Sequence, residues 1–232
     1  MAEDDLKVPS LQRERAQGLL DEGDDTGALV ARLVQAQTAL ERERASAPGL
    51  LAELMATSRA AQLERVAVER RFQSWGMCEI LLDQSQQAEE GDPQEAARLA
   101  SLALAAADRL DLGLHMPAVV QDLKARLWAA AGEARRRAGE LSQAEEALRK
   151  AASCLAQGTG DLLVEARLLE FEAAVRQAQG RGGEAAGLLK QASSRYLEVH
   201  EFHLLARTLA RREQLLRDAP QPQVAHSVAW KS

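Results

Sequence analysis

The chain has 232 residues, enough for one extended domain or two small ones. It is 46% hydrophobic but only 3% aromatic, with alanine and leucine leading the apolar set, a composition that suits helices. A net charge of −6 argues against nucleic acid and anionic membrane as main partners, and no apolar run approaches the ~18 residues a membrane span needs.

No stretch alternates apolar and polar residues with β-branched enrichment, so the expectation is an all-α protein. The opening MAEDDLKVPS lacks a basic region followed by an apolar core and does not read as a secretory signal. A first helix is expected from Pro9-Ser10 to about Leu20, ended by the charged turn Asp21 to Asp25. That turn is no calcium loop, because Arg32 stands where the twelfth-position glutamate is needed. Residues 1–48 hold six Lys/Arg against ten Asp/Glu. Short helices with that balance do not read as a DNA reader, which needs cations facing phosphates.

Thr26 is read as the cap of the next helix, with Leu29, Leu33, Ala36 and Leu40 as its stripe and Val30 and Val34 beside it. Pro48-Gly49 should stop it. Leu50 to Arg71 then reads as one longer amphipathic helix with Ala52, Ala56, Ala60, Leu63 and Ala67 facing inward. Phe72 to Trp75, with Gly76, marks a bend or join in which both rings pack. Residues 1–71 are taken as an N-terminal helical region, 72–218 as a repeat array with a C-terminal capping helix, and 219–232 as a flexible tail.

In the array, a helix from Met77 to Glu89 should end at Gly91, with Asp92 capping the next and Pro93 in its first turn. Ala96, Ala100 and Ala103 share their spacing with Ala144, Leu148 and Ala151, and again with Ala185, Leu189 and Ala192. ARLW at 125–128 returns as ARLL at 166–169 and ARTL at 206–209, while Arg135 returns as Arg176. Agreement in two separate helices marks a repeat.

The middle copy places Trp128, Ala131 and Gly132 on one helix, then a turn at Gly139-Glu140, then Ala144, Leu148 and Ala151. A ring four residues before a glycine can wedge against a neighbour, and the small-large-small stripe receives it. The pattern resembles the tetratricopeptide (TPR) repeat, which opens W-x2-L-G-x2-Y and continues with A-x3-F. Trp128, Gly132, Ala144 and Ala151 match. Ala131, Arg135 and Leu148 replace the leucine, tyrosine and phenylalanine, and the closing proline is missing.

The resemblance covers about residues 77–217 and implies a right-handed α-solenoid of TPR-like helical hairpins. The period exceeds the usual 34 residues. The surplus falls at Asp111 to Pro117 and Gln157 to Asp161, where longer helices or loops are expected. The helix from Phe202 to about Arg217 would cap the open end with its arginines.

Chemistry-bearing motifs are few. Cys78 and Cys154 lack metal-ligand spacing and read as reduced thiols of a soluble, cytoplasmic protein. The histidines of His200-Glu201-Phe202-His203 are three apart, not the four of a zinc-protease helix. Gly180 to Gly183 has no strand before it and no Gly-Lys-Ser/Thr after it. With no nucleophile beside a base, no enzyme activity, cofactor or metal is expected.

The resemblance implies instead that the first helix of each repeat lines a concave groove. Arg126, Arg167 and Arg207 would recur along one wall, with Glu133, Arg136, Arg137, Glu170 and Gln177 deeper and Arg211 on the closing helix. Such guanidinium groups suit carboxylates. The competing assignment pairs each arginine with a glutamate of an adjacent helix, such as Glu145, Glu146 or Glu184. The lysine and asparagine set of carboxylate-clamp members is missing.

The expected function is a non-catalytic protein-interaction module, a scaffold or adaptor holding a peptide or helix of another protein. The alternative is a regulatory subunit of a bacterial transcription-control or effector/defence complex, touching its partner through the N-terminal helices. A homo-oligomer formed through Leu50 to Arg71 or the open array end is compatible with both.

Overall fold

Alanine-rich segments with four- and three-residue apolar spacing become helices here, and glycine, proline and aspartate decide where each one starts and stops. The computed structural model describes residues 26–218. The helix expected at Pro9 to Leu20, the acidic turn after it and the tail lie outside that range. All regular structure among the described residues is helical: α1 (Thr26–Met55), α2 (Arg59–Val68), a 3-10 turn (Arg70–Phe72), α3 (Trp75–Ala88), α4 (Pro93–Ala107), α5 (Pro117–Arg137), α6 (Leu141–Leu155), α7 (Leu162–Ala178), α8 (Gly182–Glu198) and α9 (Phe202–Asp218). No described helix is long and apolar enough to cross a membrane. The chain forms two units that divide inside α1, between Arg42 and Glu43. In the first, Val30, Leu33 and Val34 are exposed.

In the second unit the caps follow local chemistry. Ser74 Oγ accepts from Met77 N, Asp92 from Glu95 N, and Asp161 from Leu163 N and Val164 N, so orphan amides at three helix starts are satisfied. Gly139 and Gly180 sit at φ +80° and +76°, the left-handed conformation that lets a chain leave a helix sharply.

Two expectations fail. Pro48-Gly49 does not stop α1, which continues to Met55. The helix is held on both sides of the proline: upstream, Arg44 pairs with Glu79 at 2.7 Å; downstream, Leu54 is buried in the core with Leu50 and Leu51 packed against it. Tertiary packing therefore outweighs the ~3 kcal/mol a helix-interior proline costs.

The chain breaks instead at Thr57-Ser58, so Leu50 to Arg71 is not one helix. The expected stripe does not face inward on either side of the break: Ala52, Ala56, Ala60 and Leu63 are exposed and Ala67 is half-buried, while the buried positions are Leu54, Gln62 and Val66.

Each helix from α3 to α9 packs on the next in sequence; α3 also touches α5, α5 touches α7, and α2 lies on α4. The stripes at Ala96/Ala100/Ala103, Ala144/Leu148/Ala151 and Ala185/Leu189/Ala192 are all buried. Phe72 is fully buried, with the guanidinium carbons of Arg65 and Arg71 4.9 and 5.0 Å from its ring centroid. Cys78 and Cys154 are free thiols, and burial pushes both above the usual thiol range.

The joint after α6 is pinned by Asp122 of α5. Its carboxylate accepts from Thr159 N at 3.1 Å and from the Thr159 hydroxyl at 2.6 Å.

Candidate functional site

α3, α5 and α7 lie side by side, and a cavity of about 160 Å³ opens between them. Its floor is apolar. Ala125, Ala129 and Ala130 leave the room on the α5 side, while Val164, Leu168 and Phe171 close the α7 side.

Gly132 sets the depth. A Cβ there would stand 2.8 Å from Phe171 Cε1 and 3.0 Å from Ala147 Cβ, so only glycine lets the ring seat against α5. Trp128, one turn earlier, packs against the cluster holding Ala144, Leu148 and Ala151, with Lys150 Nζ 4.4 Å from its ring centroid.

The rim is charged. It carries Gln86 of α3 and Glu89 at its C-cap, Arg126 and Glu133 of α5, and Arg167 of α7. Burial alone would raise the Glu133 carboxyl, but Arg136, bonding it through two nitrogens at 2.7 Å, and Arg137 at 3.0 Å hold it below the ordinary range. Glu89 has no such support. Arg137 comes no nearer than 3.8 Å, and burial together with repulsion from Glu133 pushes Glu89 up to about 7.

Because the Glu89 proton is held in the folded state but lost by the unfolded chain from about pH 4.5, stability falls as pH rises from there through about 7. Glu89→Gln should therefore stabilise the protein by up to about 3 kcal/mol at pH 8 and by little at pH 5. Thermal melts at the two pH values measure this; equal Tm shifts at both would refute it.

The residues expected to line a groove divide into two sets. Arg126, Glu133 and Arg167 meet at this cavity. Among the described residues neither Arg126 nor Arg167 makes an ion pair or a side-chain hydrogen bond. Arg136 and Arg137 serve Glu133 instead.

The other set lies where α9 meets α7. Arg207 pairs with Glu170 at 3.3 Å, and Arg211 donates to Gln177 at 3.3 Å. The competing assignment fits Arg207, which pairs with Glu170 of a neighbouring helix; the glutamates offered for it elsewhere go to other cations, Glu145 to Arg176, Glu146 to Arg149 and Lys150, and Glu184 to Arg181.

Gln86, Glu89 and Phe171 had no signal in the sequence. Each enters the site through a neighbouring helix rather than through a motif. Among the described residues no three His, Cys, Asp or Glu side chains converge as a metal site would require.

No protein-family model matches this chain, and neither the curated proteins nor the solved structures contain a match to it.

Proposed function

We propose that this chain is a non-catalytic protein-interaction module, a TPR-like helical array that holds an acidic peptide or helix of another protein along α3, α5, α7 and α9. One observation carries the reading. Two arginines on adjacent helices, Arg126 and Arg167, form no ion pair among the described residues and flank an apolar-floored cavity. The floor suits one small apolar side chain, and the guanidinium pair suits a carboxylate beside it. Fold-level support comes from the recurring ARLW/ARLL/ARTL segments on α5, α7 and α9, and from buried small-large-small stripes on the helices between them.

Selection of a random peptide library on the folded protein tests this. Selected peptides should carry Asp or Glu beside an apolar residue, and Arg126→Glu/Arg167→Glu should weaken them at least tenfold, as expected for losing charge-assisted hydrogen bonds. Binding should also tighten from pH 8 to pH 6, as Glu89 gains its proton and stops repelling the ligand. Peptides without acids, or binding unchanged in the double variant, would remove the proposal.

The regulatory reading is favoured by Val30, Leu33 and Val34, exposed at i, i+3, i+4 on α1. Leu33→Glu separates the two, because it abolishes partner binding only if α1 makes the contact.

A further inference from the structure

A second cavity, of about 430 Å³, opens between α1, the 3-10 turn and the loop joining α4 to α5, and shares no lining residue with the first. Apart from Leu114 its lining is polar. Acceptors and donors are used unequally there. Glu43 is engaged on both oxygens: Oε2 accepts from Trp75 N at 2.6 Å, and Oε1 faces His115 Nε2 at 3.3 Å. Asp111 accepts from Gly113 N at 2.8 Å. Gln73 spends its amide protons on the Val66 and Ala67 carbonyls, both at 3.0 Å, which leaves its Oε1 as an acceptor.

Arg70 and Arg109 line the same cavity, and among the described residues neither guanidinium makes an ion pair or a hydrogen bond. The acids beside them in the chain are committed elsewhere: Glu69 to Arg65 and Arg71, Asp108 to Lys124. Unused cationic donors facing engaged carboxylates select an anion. A cation finds no cage, because among the described residues no three His, Cys, Asp or Glu side chains converge.

We propose that this cavity binds a small phosphate monoester, its phosphate on Arg70 and Arg109 and hydroxyls of its organic part toward Gln73 and Asp111. A phosphate ester carries a charge of about −1.5 to −2 and three acceptor oxygens, enough for two guanidinium forks, whereas a single carboxylate fills one. The volume falls within the roughly 300–1,000 Å³ of small-molecule sites, and the polar lining calls for a polar body such as a sugar. The site is independent of the groove between α3, α5 and α7.

Isothermal titration calorimetry on the full chain, with glucose 6-phosphate and ribose 5-phosphate as probes, tests this. At least one should bind with a Kd of about 0.1 mM, at least fivefold tighter than inorganic phosphate, while glucose and ribose give no heat. Arg70→Ala and Arg109→Ala should each weaken binding at least tenfold with the Tm of the free protein unchanged, since both side chains are exposed. Arg126→Glu/Arg167→Glu should bind the sugar phosphate like the parent, which separates this site from the peptide groove. No binding of either probe up to about 10 mM, or an affinity indifferent to Arg70→Ala and Arg109→Ala, would overturn the proposal. So would succinate binding more tightly than both sugar phosphates, since the site would then be built for carboxylates.

Discussion

Gly76→Ala should destabilise the protein by about 3 kcal/mol, lowering Tm by roughly 6–12 °C. The added methyl would stand 2.6 Å from the Glu43 carbonyl carbon and 2.8 Å from the Arg44 amide nitrogen, with the Glu43 oxygen nearer still. All three are backbone atoms, so no side chain can rotate away and the helices themselves must separate. Separation would loosen a local network: Glu43 accepts from Trp75 N at 2.6 Å and faces His115 Nε2 at 3.3 Å, while Glu79 holds Arg44 and the Trp75 indole.

The same substitution at Gly187 should do the opposite. It lies inside α8 with no atom of a described residue within 4 Å of an added methyl, so Ala should gain about 0.5–1 kcal/mol through helix propensity alone. Chemical denaturation of both variants measures the contrast, and a neutral Gly76→Ala would show that α1 and α3 are not in backbone contact.

Glu170→Ala should cost about 2–3 kcal/mol. Glu170 joins three helices: its carboxylate accepts from the Tyr196 hydroxyl of α8 at 2.7 Å, and Arg207 and Thr208 of α9 approach it at 3.3 and 2.6 Å. Tyr196 is fully buried, and burial, with the carboxylate beside it, raises its phenol well above the usual range. Without Glu170 that hydroxyl is a buried donor with no acceptor.

Thr208 is less affected, because its single hydroxyl proton can turn to the Leu204 carbonyl 2.8 Å away. Tyr196→Phe should cost about 1 kcal/mol alone and much less in the Glu170→Ala background, a coupling that a double-mutant cycle reads directly. Additive effects would show that the Tyr196–Glu170 bond does not form in solution.

Much of the helical layout is legible in the chain for local reasons. Asp92-Pro93 and Gly139-Glu140 determine helix ends through a side-chain acceptor, a fixed φ and a left-handed turn, all properties of the residues themselves. The alanine-leucine stripes are legible because burial on a helix imposes a period that no neighbour has to supply. The site is legible by half. The recurring arginines stand out in the chain, but whether each is spoken for depends on glutamates elsewhere, and Glu89 reaches the cavity from a helix with no copy of the motif.

What the amino-acid sequence determined by itself is the helical class, the caps and the inward stripes, because these arise from interactions within a few residues. Only the tertiary structure decided that α1 runs through Pro48, that Gly132 seats Phe171 while Gly187 meets no described residue, and that Arg207 is tied to Glu170 while Arg126 and Arg167 have no ion pair among the described residues. Each of these turns on distances of a few tenths of an ångström between residues far apart in the chain, where steric overlap and charge pairing are steep functions of position and local pattern carries no information.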